Sequence, residues 1–152
     1  MIKKKIIILF LITFLANCGF TPVYVKNNNT NFSIEQINFT GDRELNNFLK
    51  INLNKYKNIE SDNKIFIEVN SSYEKNILSK DGAGKVTNYQ LLANVIFLIK
   101  PINKEIIITE KIIMDSKTDK FEEDRYERTM KQNFASSISN KLRSELTIIN
   151  DF

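Results

Sequence analysis

The chain has 152 residues, 22 basic and 18 acidic side chains, a single cysteine and no histidine. This composition excludes Ser-His and Cys-His catalytic pairs, His/Cys metal sites and an internal disulfide. The first 17 residues carry three of the basic side chains and no acid, so the rest of the chain is nearly neutral and gives no electrostatic reason to expect nucleic-acid binding. Catalysis through carboxylates alone, as in a periplasmic hydrolase, stays formally possible, but the adjacent acids Glu122, Glu123 and Asp124 cannot converge on one substrate atom. We therefore predict a protein that is not an enzyme and that holds neither a metal nor a cofactor.

The N-terminus has the layout of a secretion signal. Three lysines at positions 3–5 precede an apolar run over 6–15, which is too short to span a membrane. Cys18 stands where the cleavage site should lie, as in a bacterial lipobox, whose cysteine is acylated and becomes the first residue of the mature protein. Asn17 departs from the small residue that is usual there. We predict a signal peptide over 1–17 and lipidation of Cys18; the alternative is an ordinary signal peptide with a cysteine near the cut.

The segment after the cysteine differs in composition from the rest of the chain. Residues 18–31 contain a proline and three consecutive asparagines, which predicts a flexible tether. The folded domain is predicted over 32–152. It begins with a strand over about 32–40, with a bulge at Glu35-Gln36. An amphipathic helix follows, with Asp42 as its N-cap. Its apolar stripe consists of Leu45, Phe48, Leu49, Leu53 and Tyr56.

Three further strands are predicted from alternating apolar residues over 64–78, 86–100 and 105–116. Short turns at 81–84 and 101–104 separate them, so neighbouring strands must be antiparallel, because parallel strands need long crossovers.

A long helix is predicted from about Asp119, with Glu122 completing a capping box. The cluster Glu122-Glu123-Asp124 is interpreted as a solvated face at the positive end of that helix. The predicted core stripe of this long helix drifts slowly round the helix axis, as expected for a helix that lies obliquely across a twisted sheet. The stripe consists of Tyr126, Met130, Phe134, Ile138, Leu142 and Leu146. The element order β-α-β-β-β-α predicts an α+β two-layer sandwich, with two helices packed on one four-stranded, mainly antiparallel sheet.

The strands also carry apolar residues on their second side, where a sheet covered by helices on one face should be polar. Exposed apolar surface of this extent is typical of a partner interface, and the alternative is a rim or a covering loop. The predicted binding residues for a partner or glycolipid are Leu92, Ile96, Ile107 and Ile113. Four lysines near the hairpin ends are either ordinary surface residues or a basic patch for an anionic lipid: Lys80, Lys85, Lys100 and Lys104.

The start of the mature chain resembles that of a known family. The run Cys18-Gly19-Phe20-Thr21-Pro22-Val23-Tyr24 is similar to the CGF-x-P-L-Y start of the lipopolysaccharide-assembly lipoproteins, the LptE family, in its alphaproteobacterial form. The resemblance extends through the order of elements, the strand segment Tyr89–Ala93, and the segment Asn133–Ser136 of the final helix.

This resemblance implies an outer-membrane lipoprotein with two helices on a four-stranded sheet. It implies a large β-barrel, LptD, as the partner and lipopolysaccharide as a candidate ligand. The domain would then lie on the periplasmic side of the outer membrane or inside the barrel, anchored to the membrane through Cys18. A stand-alone periplasmic lipid-binding lipoprotein is the alternative function.

Overall fold

A computed structural model describes residues 32–57, 59, 61 and 63–149. The elements are β1 (Ser33–Gly41), α1 (Arg43–Leu53) with a 3-10 turn (Asn54–Tyr56), β2 (Lys64–Lys80), β3 (Val86–Lys100), β4 (Lys104–Asp115) and α2 (Lys120–Ile149). This order confirms the predicted α+β fold. The predicted signal peptide, Cys18 and the tether lie outside the described residues. Neither of the described helices combines the length and the apolar character that a membrane crossing requires.

The four strands form one mixed sheet in the order β1-β2-β3-β4. The hairpins β2–β3 and β3–β4 are antiparallel as predicted, whereas β1 runs parallel to β2 and is connected to it through α1. The register of β1 against β2 shifts between Ile34 and Gln36, which confirms the predicted bulge. The last β1 pair joins Gly41 to Ser71, so β2 continues from 72 to 80 paired with β3 alone.

The turn from β1 into α1 depends on two neighbouring residues. The Asp42 carboxylate accepts a hydrogen bond from the Leu45 N–H at 2.7 Å, which confirms Asp42 as the N-cap. Gly41 adopts a φ of 95°, and a Cβ at this position would overlap the Ser71 carbonyl. The same carbonyl accepts the Asp42 N–H at 3.0 Å. Glycine is therefore required here both by conformation and by the close approach of β2.

The core lies between the two helices and one side of the sheet. Alternate residues of β3 from Leu91 to Ile99 are fully buried. The buried residues of α1 include Leu45, Leu49 and Leu53, and those of α2 include Met130, Phe134, Ile138, Leu142 and Leu146. The prediction for the first turns of α2 was wrong, because Tyr126 is 39% exposed and Glu123 is buried instead. At 3.6 residues per turn, position 123 lies almost two full turns before Met130 and therefore on the same side of the helix.

Candidate functional site

The open face of the sheet, the side turned away from α1 and α2, consists of rows of residues that face each other across the strands. Ile96 of β3 lies opposite Ile107 of β4, and the same row continues to Asn70 and Thr40. Ile107 is 58% exposed, and Ile96 is partly buried. Ile96 and Ile107 therefore form one continuous apolar spot, which is bordered by polar residues on the β1 side.

The other two predicted binding residues, Leu92 and Ile113, lie further along the same face. Leu92 stands between Glu74 and Lys111, and Ile113, which is 58% exposed, lies opposite Gln90. A fully polar row separates them from the first spot: Ser72, Asn94 and Thr109. The face is therefore apolar in places on β3 and β4, and polar on β1 and β2 apart from Phe66 of β2, which is 41% exposed. Sequence alternation could not show this division, because it depends on the pairing register.

A shallow depression of about 450 Å³ lies beside Ile96 on the open face. Leu98 occupies its floor, between Glu68 of β2 and Glu105 of β4 in the same row. Lys100 pairs with Glu68 at 2.6 Å, and no ion pair to Glu105 occurs among the described residues. An apolar floor with an acidic border suits the stem and charged head of a basic partner side chain. Within the described ranges, no three acidic, cysteine or histidine side chains cluster in a way that could hold a metal ion.

The four lysines considered as a basic patch lie at opposite ends of the sheet. Lys80 and Lys85 flank the β2–β3 turn, and Lys100 and Lys104 flank the β3–β4 turn. The 15 residues of β3 separate the two turns, which corresponds to about 50 Å at the usual rise of a strand. These lysines therefore do not form a single patch for one lipid headgroup.

A cluster of charged residues, which the sequence did not reveal, lies under the first turns of α2. Glu123 is 4% exposed, and its carboxylate accepts hydrogen bonds from four donors. These donors are Lys75 Nζ at 2.9 Å, Lys117 N–H at 3.1 Å, Ser116 Oγ at 3.3 Å and Lys120 Nζ at 3.3 Å. Lys75 also binds Glu127 at 2.8 Å. The interpretation of Glu122-Glu123-Asp124 as a solvated face is thus wrong for Glu123.

Two tyrosines complete this cluster. Lys75 Nζ lies 4.3 Å from the centre of the Tyr89 ring, and Lys131 Nζ lies 4.1 Å from the centre of the Tyr73 ring. Both distances are within the range of cation–π attraction. Lys131 also pairs with Glu44 of α1 at 2.9 Å. The cluster, which we call the α2 charge cluster, therefore joins α2 to β2, β3 and α1. Its members are Glu44, Tyr73, Lys75, Tyr89, Glu123, Glu127 and Lys131.

The acid–base properties of the cluster indicate stable ion pairs. The hydrogen bond from Lys75 outweighs the effect of burial and holds the pKa of Glu123 at about 2. Burial acts to lower the pKa of Lys75, but hydrogen bonds to Glu127 and Glu123 raise it overall. Burial, followed by the charge of Glu127, raises the pKa of Tyr73. Carboxylates and ammonium groups that neutralise each other in this way favour a structural role over proton transfer.

The start of α2 also differs from the predicted capping box. The Phe121 N–H donates to the Asp119 side chain at 2.8 Å, so Asp119 does cap the helix. The second carboxylate at this helix start comes from Glu123 rather than Glu122. It accepts a hydrogen bond from the backbone N–H of Lys117, which precedes the helix. A helical period extended back from Met130 through charged residues would have pointed to Glu123 and Glu127.

Solved structures with a similar fold include two bacterial lipoproteins. Rare lipoprotein B from Shewanella oneidensis is 20% identical to this chain, with a TM-score of 0.53 over 76% of this chain and 98% of its own. An uncharacterized lipoprotein B from Nitrosomonas europaea is 15% identical, with a TM-score of 0.56 over 82% and 90%. No family model and no curated protein matches the sequence. The likeness is one of fold.

Proposed function

We propose that this chain is a non-enzymatic lipoprotein, anchored to the outer membrane through Cys18, that docks with an LptD-like β-barrel and supports lipopolysaccharide transport. The observation that carries the proposal is the open face, where Ile107 and Ile113 are each 58% exposed on the side of the sheet away from the helices. An apolar surface with a polar border is typical of a protein–protein interface. The resemblance of the mature N-terminus to the LptE family and the fold shared with two lipoproteins support the same assignment.

Docking on this face would use two kinds of contact. The pair Ile96–Ile107 offers a compact apolar anchor, and Leu92 and Ile113 offer smaller apolar contacts nearer the β2–β3 turn. The polar row between them can donate and accept hydrogen bonds, since the Thr109 hydroxyl already donates to Asn94 at 2.8 Å. Such an arrangement fits a partner wall that alternates apolar and polar side chains, as strands do. Lipopolysaccharide is proposed as a second ligand of the assembled complex.

The alternative, a stand-alone lipid carrier, would need an apolar cavity between the helices and the sheet. That layer is filled by side chains, including Phe97, Leu142 and Ile138, which are fully buried. The depression beside Ile96 lies on the surface and has an acidic border. An acyl chain would gain little there, because much of it would stay in water. The packed core therefore favours the docking function.

Co-purification of the barrel with the tagged full chain from detergent-solubilised outer membranes tests the proposal. Ile107→Lys should reduce the recovery of the LptD-like barrel by more than about fivefold, because loss of a central interface contact usually costs over 1 kcal/mol. Ile96→Lys should have the same effect. The matched control is Ile148→Lys on α2, since Ile148 is 57% exposed and lies in the helical layer.

Circular dichroism of each variant shows whether its fold is intact. An Ile107→Lys protein that keeps its fold and its full recovery of the barrel would contradict docking on the open face. Loss of the barrel with Ile148→Lys but not with Ile107→Lys would place the interface on the helices.

A further inference from the structure

The first three turns of α2 differ from the rest of the helix in what holds them to the sheet. From Met130 to Leu146, the helix buries five large apolar side chains. Between Lys120 and Thr129, only Glu123 is buried, while Phe121 and Tyr126 are 73% and 39% exposed. Hydrophobic burial therefore fixes the second part of α2 and contributes little to the first part.

Charges take the place of hydrophobic packing in this first part. Glu123 and Glu127 bind Lys75 of β2, and the Lys117 N–H and the Ser116 hydroxyl close the loop before the helix onto Glu123. Further along the helix, Ser137 and Lys141 bind Glu110 of β4 at 2.6 Å and 2.7 Å. The helix thus crosses the sheet obliquely, and its beginning lies over β2, where the hairpin extends beyond β1.

We propose that residues 120–129 form a latch that opens from the β2–β3 hairpin as a unit, while the rest of the domain stays folded, and that the contact of Glu123 and Glu127 with Lys75 keeps it closed. A helix of about ten residues is marginally stable without tertiary contacts, so release of these contacts should also fray the segment. Opening frees the Lys75 ammonium group from both carboxylates. It also separates the loop 116–119 from its carboxylate partner.

The charged groups around the latch determine which conditions open it. Lys75, Lys120, Arg128 and Lys131 face the carboxylates of Glu44, Glu123 and Glu127. Lys75 and Lys131 also cover the rings of Tyr89 and Tyr73. These pairs range from the largely buried contact of Lys75 with Glu123 to the partly exposed pairs of Lys120 and Glu44, and salt screens the partly exposed pairs. High ionic strength should therefore promote opening, without a comparable effect on the apolar part of α2.

Native-state hydrogen exchange of the full chain tests this latch. The amides of 124–129 report on it, because the earliest amides of a helix lack intrahelical partners. Glu123→Gln should accelerate exchange at 124–129 by about tenfold or more, because a buried charge-assisted contact is lost. Exchange in β3 and at 134–146 should change by less than about twofold. Raising NaCl to about 1 M should accelerate the same amides in the wild type but have little effect in Glu123→Gln.

Glu122→Gln is the matched control, since it removes the same charge from the adjacent, exposed position. Lys75→Met should act like Glu123→Gln, and the double variant should add little to either change. Equal acceleration at 124–129, 134–146 and β3 would show that α2 opens only with the whole domain and would overturn the proposal. Unchanged exchange in both Glu123→Gln and Lys75→Met would overturn it as well.

Discussion

Lys75 and Glu123 lie 48 residues apart in the chain, and their charged groups meet at 2.9 Å in a place that solvent hardly reaches. Because this contact holds the pKa of Glu123 at about 2, below its ordinary 4.5, its contribution to stability is fully present above pH 4.5. That contribution should be lost as the pH falls from about 4.5 to 2. The difference between a pKa of 4.5 and one of about 2 limits the contribution of this contact to the free energy of unfolding to about 3 kcal/mol.

Urea unfolding of the wild type and of Glu123→Gln at several pH values measures this effect. The wild type should be the more stable protein at pH 7, and the difference between the two should shrink steadily below pH 4.5. The difference in unfolding free energy between the two proteins cannot exceed the free energy that keeps the latch closed. Once the latch is open, Glu123 no longer contacts Lys75, and the rest of the domain stays folded. A difference that stays constant down to pH 2.5 would contradict the assigned contact.

Phe134 lies in the middle of the buried stripe of α2 and is 6% exposed. Phe134→Ala should lower the free energy of unfolding by about 3–5 kcal/mol, because it removes a large buried ring and leaves a cavity. Ser136→Ala, on the exposed side of the same turn, should change stability by less than about 0.5 kcal/mol. Denaturation followed by circular dichroism gives both values, and similar small costs for the two variants would show that the helix register is wrong.

Gly41 combines a φ of 95° with a close approach to the Ser71 carbonyl. Gly41→Ala should destabilise the domain by about 1–3 kcal/mol or more, because the new methyl group forces β1 and β2 apart where α1 begins. Gly82→Ala is the control, as a Cβ there meets no atom within 4 Å. Thermal unfolding of both variants should show a clear decrease for Gly41→Ala, and a melting temperature close to that of Gly82→Ala would contradict this account.

The predicted lipidation of Cys18 has a direct test in cells. Cys18→Ala should accumulate as an uncleaved precursor, because the acylated thiol is the expected substrate for cleavage of the signal peptide. Asn17→Ala restores a small residue before the cysteine and should be processed at least as well as the wild type. Mass spectrometry of the purified wild type should show a diacyl- or triacylglyceryl adduct on a chain that begins at Cys18. Normal cleavage and membrane retention of Cys18→Ala would exclude lipidation at this position.

Much of the fold follows from local patterns in the sequence. Alternating apolar residues placed the three long strands within about two residues of their observed ends, and Asp42 correctly marked the start of α1. These features depend on neighbours in the chain, so short-range periodicity and capping chemistry are sufficient to find them.

The candidate site was less predictable because it depends on contacts between distant residues. Ile96 and Ile107 become one spot only through the register of β3 against β4, and the same register places a polar row between them and Leu92. Glu123 looked like a surface acid because its neighbours in the chain are acidic. Its partner Lys75 belongs to a strand that no local pattern connects to α2.

The parallel pairing of β1 with β2 has a consequence for the geometry of attachment. Phe32 enters the sheet at the end where Lys64, Lys100 and the 101–103 turn lie, and the 81–85 turn marks the opposite end. A chain of 14 residues from Cys18 extends at most about 50 Å, and β3 adds about 50 Å more. If Cys18 is acylated, the 81–85 turn lies at most about 100 Å from the bilayer surface. The length of β3 and the number of residues between Cys18 and Phe32 together set this upper limit.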